Sequence, residues 1–450
     1  MDLLIKVRDE ASLLYNGKLF PVFIAVCVLL GHLFSLEAIF IPLIVVVSLI
    51  GLAVCDTLEF MLAPFLMTLF TASQKTVAAG GFYTGSAKVL FVACAVLFVA
   101  LSAFHFVVYR KKVDFSALKQ SGLLSGYILI AAAFMLNGFF CFDKYTLRNF
   151  TYALILAFSM CVLFAFFAIN LDKSKNFKEY AIYLLYIASL VVTAEFFAMF
   201  AGQIKFDNGS IVKESILIGW GMWNNIGGVL TMLLPIHFYL AATKKHGYIF
   251  YATGILSYVA VALSLSRSSL LVSTVLAGIC TVILCFAGIN KKQNRIILAV
   301  LAAVTACIVA IFWSKIANIF SDYISRGFND NGRFTMWKDG VEKFISHPLF
   351  GVGFYNSYPT SYQFISFLPY RYHNTIIELI ATCGVAGLAS YAFHRYQTIK
   401  LFIRKKNICS LFMMLCAAGL LLTSLFDNHM FNIYPCFYYS VFLLATERSE

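Results

Sequence analysis

Three arginines and one histidine have the types and spacing needed to bind an anion and to accept a proton. Arg267 lies in "SLSRSSLL", Arg333 opens "GRFTMWKDGVEKFIS", and Arg371 precedes His373 by two residues. Guanidinium groups pair with phosphate oxygens through two parallel hydrogen bonds. The arginines therefore predict a site for a diphosphate, and the alternative for Arg267 is that its side chain only reaches out to the membrane surface.

His373 is the candidate general base. Thr375 and Glu378 behind it form a T-x-x-E pattern, which predicts a capping box at the start of a helix. The positive end of that helix would favour a neutral imidazole, able to accept a proton, and would also suit a bound anion. The alternative is that His373 only caps an interfacial helix. His347, which stands before Pro348, is assigned to the end of the preceding helix.

Weaker candidates for contact with a ligand are chosen by their outer position and not by a motif. They are Arg371, Asn374, Asn224 and Asn225 of "WNNIGG", Tyr355 and Asp427. The histidines lack the spacing of a metal site, and the 12 cysteines lie in or beside apolar runs without a C-x-x-C pair. We therefore expect neither a metal nor another cofactor.

The elements that carry these residues must be membrane helices. The 450 residues are 61% hydrophobic and 12% charged, with a mean hydropathy of +0.85, which excludes a soluble domain. Apolar runs near the 20 or so residues that cross a bilayer recur along the chain. We predict an all-α polytopic transmembrane bundle of about 12–14 spans, forming a single integral membrane domain over residues 1–450. The candidate spans are 19–35, 38–54, 58–72, 88–109, 121–142, 150–170, 180–202, 224–243, 248–265, 268–289, 296–314, 374–393, 408–426 and 433–446.

The basic residues predict the orientation of the bundle. With both termini inside, 21 of the 34 Lys and Arg lie on inner segments, and six of the other 13 fall in one long outer loop, residues 315–372. Short loops orient membrane proteins by this bias, so we expect a cytoplasmic membrane protein with both termini in the cytoplasm. The loop contains a predicted amphipathic helix, and its aromatic run from Phe354 to Tyr372 fits an interfacial belt or platforms for sugar rings.

The ordered motifs over residues 260–393 resemble the O-antigen polymerase and O-antigen ligase superfamily. In that superfamily a span-ending S-R, an R-x-x-x-W before a P-L-x-G-x-G turn, and an H-N before a glycine-bearing helix follow one another. This chain has "SLSRSSLL", "GRFTMWKDGVEKFISHPLFGVGFYNS" and "HNTIIELIATCGVAGL" in the same order.

The resemblance implies metal-independent, inverting glycosyl transfer on the outer membrane face. The donor would be an oligosaccharide on polyprenyl diphosphate and the acceptor a glycan hydroxyl, with Arg267 and Arg333 binding the diphosphate and His373 as the base. Polymerisation of capsule, O-antigen or exopolysaccharide repeats is the favoured role, and ligase-type transfer to a lipid or protein is the alternative. A transporter of lipid-linked sugars is the rival from another class, but it would place charges near the bilayer midplane.

Overall fold

The chain folds into a bundle of apolar helices with very little strand. The computed structural model describes residues 10–71, 85–110, 114–142, 145–171, 177–207, 210–219, 221–311, 313–314, 317, 332–356 and 372–449. Among these residues, six helices are long and apolar enough to cross a membrane, and six shorter apolar helices accompany them. A helix satisfies its backbone hydrogen bonds within one segment, as a hydrocarbon environment requires. The predicted all-α polytopic bundle is confirmed.

The described residues of the first half form mainly helices, most of them from apolar runs. These are α1 (Leu19–Phe34), α2 (Glu37–Val54), α3 (Leu62–Thr71), α4 (Gly85–Val108), α5 (Ser116–Gln120), α6 (Leu124–Met135), α7 (Leu147–Ala157), α8 (Leu163–Asn170) and α9 (Phe177–Gln203). A 3-10 turn, Glu59–Met61, precedes α3, and a π-helical turn, Phe158–Val162, joins α7 to α8.

The second half begins with two very short antiparallel hairpins and continues as helices. Strand β1 (Phe206–Asp207) pairs with β2 (Ser210–Ile211), and β3 (Leu217–Ile218) pairs with β4 (Gly221–Met222). The helices are α10 (Trp223–Thr243), α11 (Gly247–Leu263), α12 (Arg267–Phe286), α13 (Lys291–Ile311), α14 (Arg333–Ser346), α15 (Thr375–Arg404), α16 (Ile408–Thr423) and α17 (Ile433–Glu447). A 3-10 turn, His429–Phe431, lies between α16 and α17.

Helix α10 is the centre of the bundle. Of its most apolar window 89% is buried, whereas only 22% of the corresponding window of α2 is buried. It packs against α9, α11, α12 and α16. Peripheral helices such as α4 expose large apolar side chains, as lipid contact permits. The N-terminus of α10 is thus held rigidly beside the segments that carry the candidate site.

Helix α6 is shorter than the predicted span 121–142 because residues after Met135 bind another part of the chain. Gly138 donates its N–H to the carbonyl of Phe350 at 2.9 Å, and Asn137 Oδ1 accepts from the N–H of Phe354 at 3.0 Å. Gly138 has a φ of +64°, which ends the helix. The apolar pattern gives no sign of this contact, which ties the first half of the bundle to the turn after α14.

Candidate functional site

The structure brings His373 and Asp427 together. His373 Nδ1 lies 3.1 Å from Asp427 Oδ1. The His373 side chain is 40% exposed, whereas that of Asp427 is 15% exposed. A carboxylate at Nδ1 favours the tautomer with its proton on that nitrogen, so that Nε2 is left to accept another proton. Asp427 thus orients the candidate base, a role that its sequence context does not indicate.

Asp427 is held in its ionised form. Burial alone would raise its pKa, but the hydrogen bond from His373, the neighbouring His429 and the backbone N–H of Asn428 together lower the pKa well below its usual range. The Asn428 N–H donates to Asp427 Oδ1 at 2.8 Å. The carboxylate is therefore a negative partner for the imidazole at neutral pH.

The predicted capping box is wrong in its register. Asn374, not Thr375, is the N-cap of α15, and its side-chain oxygen accepts from the N–H groups of Ile376 at 2.8 Å and Ile377 at 3.1 Å. Its side-chain nitrogen donates to the carbonyl of Leu425 at 3.0 Å. The helix thus begins at Thr375, directly after the asparagine, because the Asn374 side-chain oxygen accepts from two of the first free amides of the helix.

Glu378 does not act in a capping box. Its side chain instead forms hydrogen bonds to the two segments that carry His373 and Asp427. It is 1% exposed, and its Oε2 accepts from the N–H of Tyr372 and from Asn428 Nδ2, both at 2.9 Å. Tyr372 precedes His373, and Asn428 follows Asp427. The buried Glu378 carboxylate therefore holds the residues next to His373 and Asp427 in place.

Helix α14, the predicted amphipathic helix, supports the same segment from outside. Trp337 Nε1 donates to the carbonyl of Tyr372 at 2.9 Å, and the Tyr372 hydroxyl donates to Asp339 Oδ2 at 2.8 Å. Gly340 allows the close approach, since a Cβ there would lie 2.4 Å from Ile377 Cγ2. His347 is the C-cap residue of α14, as the His-Pro sequence predicts.

The P-L-x-G-x-G turn fills a break in α15. Gly384 has φ +62° and ψ −152°, which interrupts the helix. The N–H groups of Val352 and Gly353 donate to the carbonyls of Ala381 and Thr382 at 2.9 and 3.0 Å. In return, the N–H groups of Val385 and Ala386 donate to the carbonyls of Pro348 and Leu349 at 2.8 and 3.1 Å. The turn thus replaces the hydrogen bonds that the break removes from the helix.

Arg267 is the first residue of α12, directly after a tight serine-rich turn. Leu265 has a φ of +58°, and Ser266 Oγ donates to Ser269 Oγ at 2.9 Å. The first turns of α10 pack on this segment and on the 3-10 turn near Asp427. A Cβ on Gly227 would lie 2.9 Å from Ser264 Oγ, and one on Gly228 would lie 2.6 Å from His429 Nε2. The "WNNIGG" stretch, with Asn224 and Asn225, therefore begins α10 between Arg267 and the Asp427 segment.

Lys213 is a cation near the site that sequence reasoning missed. It lies in the 3-10 turn Lys213–Ser215, and its Nζ is 4.9 Å from the centroid of the Trp223 ring, at the N-terminus of α10. Burial lowers the pKa of Lys213, and the positive charges of Arg267 and Arg333 lower it further, while Glu214 and Asp427 oppose this effect. Both arginines and Asp427 are therefore near enough to Lys213 to act on its charge.

The remaining candidates are placed as follows. Arg333 is the first residue of α14 and is half-buried. Tyr355, with φ +64°, lies with its ring centroid 6.0 Å from that of Tyr152. Arg371 and most of the predicted loop 315–372 lie outside the described residues. No group of three or more His, Cys, Asp and Glu side chains that could hold a metal occurs among the residues that the structure describes.

This end of the bundle combines three cations with a candidate base. The cations are Lys213, Arg267 and Arg333, and the candidate base is His373 with its aspartate partner. An anion bound to the cations would lie beside an imidazole that can accept a proton. The combination suits transfer of a group from a phosphate leaving group to a hydroxyl.

Comparison with known proteins bears on this same region. Residues 252–392 match the family model described as O-antigen ligase. The matched segment begins in α11 and ends in α15, so it includes Arg267, Arg333 and His373. The match supports the O-antigen polymerase and ligase superfamily. No curated protein matches the chain.

Proposed function

We propose, with the O-antigen ligase match over residues 252–392 as the premise, that the chain is a membrane glycosyltransferase acting on lipid-linked glycans. It joins oligosaccharide units carried on polyprenyl diphosphate to an acceptor glycan, as a polysaccharide repeat polymerase. The reaction takes place on the outer face of the cytoplasmic membrane. The observation that carries the proposal is the His373–Asp427 contact of 3.1 Å, at the end of the bundle where Arg267 and Arg333 begin their helices.

The proposed reaction transfers the glycan with inversion and without a metal. The acceptor hydroxyl oxygen attacks the anomeric carbon from the face opposite the diphosphate, while His373 Nε2 takes the hydroxyl proton. The bond from the anomeric carbon to the diphosphate oxygen breaks, and its electron pair leaves with the polyprenyl diphosphate. Arg267 and Arg333 hold the charge that grows on this leaving group. Asp427 stabilises the imidazolium until its proton is released to water.

The identity of the acceptor distinguishes a polymerase from a ligase. The motifs of the chain carry no mark of a lipid acceptor, which favours polymerisation, whereas the matched family is described as a ligase. Purified protein is incubated with lipid-linked oligosaccharide alone. Longer lipid-linked glycans on a gel support the polymerase. Products that require an added lipid or protein acceptor support the ligase, and no glycan transfer under either condition contradicts the proposal.

The diphosphate role of the arginines has its own test. Arg267→Lys and Arg333→Lys keep the charge but lose the planar pair of donors, so each variant should lose roughly 10- to 100-fold in donor affinity or turnover. Arg148→Lys changes an exposed arginine of α7 and serves as the matched control. Wild-type kinetics in both site variants would remove the arginines from the diphosphate site.

A further inference from the structure

The segment between α9 and α10 carries Lys213 on a firmly anchored turn. Ser215 Oγ accepts from the N–H of Lys205 at 3.1 Å and donates to the carbonyl of Val212 at 2.6 Å. The next residue, Ile216, is fully buried, as is Ile218 in β3. These contacts fix the backbone of the turn, so the position of Lys213 is set by the fold.

The side chain of Lys213 extends over the start of α10. Its Nζ lies over the Trp223 ring at 4.9 Å, and Met222, the N-cap residue of α10, provides no side-chain cap for the helix. The first turn of α10 packs against the serine turn that leads into Arg267, through Gly227. The start of α10, which has no side-chain cap, thus lies close to Lys213 and to the turn that leads into Arg267, a setting that favours anions.

We propose that Lys213 is a third ligand of the donor diphosphate, whose charge lets the site distinguish a polyprenyl diphosphate from a polyprenyl monophosphate. This inference rests on the proposed function. A diphosphate has more oxygens and more negative charge than a monophosphate, so a third cation beside the two arginines adds more to the binding of the diphosphate. The flexible lysine side chain can direct its ammonium N–H groups toward different oxygens, and the Trp223 ring contacts the ammonium when no anion is bound.

The carrier lipids provide the test. Binding of polyprenyl diphosphate and of polyprenyl monophosphate is measured for the purified full-length protein, for Lys213→Gln, and for Lys205→Gln as the control on the same segment. Lys213→Gln should bind the diphosphate roughly 10- to 100-fold more weakly and the monophosphate nearly as well as wild type. Lys205→Gln should retain the wild-type preference. An unchanged ratio of the two affinities in Lys213→Gln would overturn the inference.

Two further variants keep the test decisive. Lys213→Met retains the stem and replaces the glutamine variant if that variant does not fold. Arg267→Lys separates the two proposals: weakened diphosphate binding in Arg267→Lys with wild-type binding in Lys213→Gln overturns the lysine role alone. Wild-type diphosphate binding in both Arg267→Lys and Lys213→Gln overturns the lysine role and the Arg267 contact together, and no diphosphate binding by the wild-type protein contradicts the proposed function.

A pH profile gives a second readout. The pKa of Lys213 is lowered by burial and by Arg267 and Arg333, against the opposing charges of Glu214 and Asp427, so its charge is lost at a lower pH than that of an exposed lysine. Diphosphate affinity should therefore fall on the alkaline side in the wild type. Lys213→Arg should remove this fall, because a guanidinium stays protonated. An identical alkaline fall in both proteins would assign it to another group.

Discussion

The reactivity of His373 depends on which ring nitrogen carries the proton. Asp427 lies 3.1 Å from Nδ1, so Nε2 is the nitrogen that we propose as the proton acceptor. A positioned base contributes about 10²- to 10⁴-fold in rate, and His373→Ala should lose roughly that factor with donor binding retained. His347→Ala, at the C-terminus of α14, should have nearly wild-type turnover. Equal turnover of His373→Ala and wild type would exclude the base assignment.

Asp427→Asn should weaken the interaction with His373 and lower the stability of the folded protein. The folded-state pKa of Asp427 is lowered, so its ionised form stabilises the protein at any pH above its ordinary value of 3.8, and this contribution is lost as the pH falls below that value. We expect Asp427→Asn to be less stable than wild type by about 1–2 kcal/mol at neutral pH.

Unfolding of detergent-solubilised protein across the acidic range checks this expectation. The difference between wild type and Asp427→Asn should shrink as the pH falls below 3.8. A difference that is independent of pH would mean that the carboxylate charge is not its source. Turnover of Asp427→Asn should lie between that of His347→Ala and that of His373→Ala.

The sequence indicates those candidate site residues that occupy unusual positions in it, but not those whose place near the site depends on folding. Arg267 is a charge at the edge of an apolar run, which is costly enough to indicate a function. Lys213 is a lysine in a polar connection, where most lysines are simply solvated. Glu378 fits a capping pattern, yet in the fold it bonds to Tyr372 and Asn428, contacts that no local pattern encodes.

At the level of elements, the break in α15 should be intolerant of any side chain. A Cβ on Gly384 would lie 2.5 Å from the carbonyl oxygen of Pro348, and the backbone there has a conformation that glycine adopts almost alone. Gly384→Ala should therefore cost about 1–3 kcal/mol or more of stability and should displace the N-terminal part of α15, with loss of turnover.

Gly278→Ala is the matched control in α12. A Cβ there meets nothing within 4 Å, so alanine should be neutral or stabilising by about 0.5–1 kcal/mol. Thermal unfolding and glycan transfer are measured for both variants. If Gly384→Ala were as stable and active as Gly278→Ala, the break would have no part in positioning His373.

The helices were more predictable than their interruptions. Each apolar run forms a helix because the hydropathy of some 20 residues averages over local detail. The helix predicted after Gly332 forms as α14, but its buried residues are Met336 and Gly340, whereas the apolar Phe334, Val341 and Ile345 stay exposed. The break at Gly384 lies within an apolar run and depends on a turn that is distant in sequence, so hydropathy could not reveal it.

At the level of the whole molecule, the orientation in the membrane stays a prediction from the basic residues. It requires α14 to lie outside and the connection between α10 and α11 to lie inside. Lys338→Cys and Lys245→Cys place a thiol at exposed positions of these two segments. A membrane-impermeant thiol reagent applied to intact cells should label the first variant, and the second only after lysis. The reverse pattern would invert the topology.

The exchange of hydrogen bonds between the P-L-x-G-x-G turn and the broken helix makes the length of that turn a fixed quantity. Pro348 and Gly353 are both bound to the same short stretch of α15, so an added residue between them cannot bulge out without breaking a bond at one end. One alanine inserted after Phe350 should abolish glycan transfer, whereas one inserted after Asn356 should be far better tolerated. Insertions should therefore be tolerated outside the segment from Pro348 to Gly353, but not inside it.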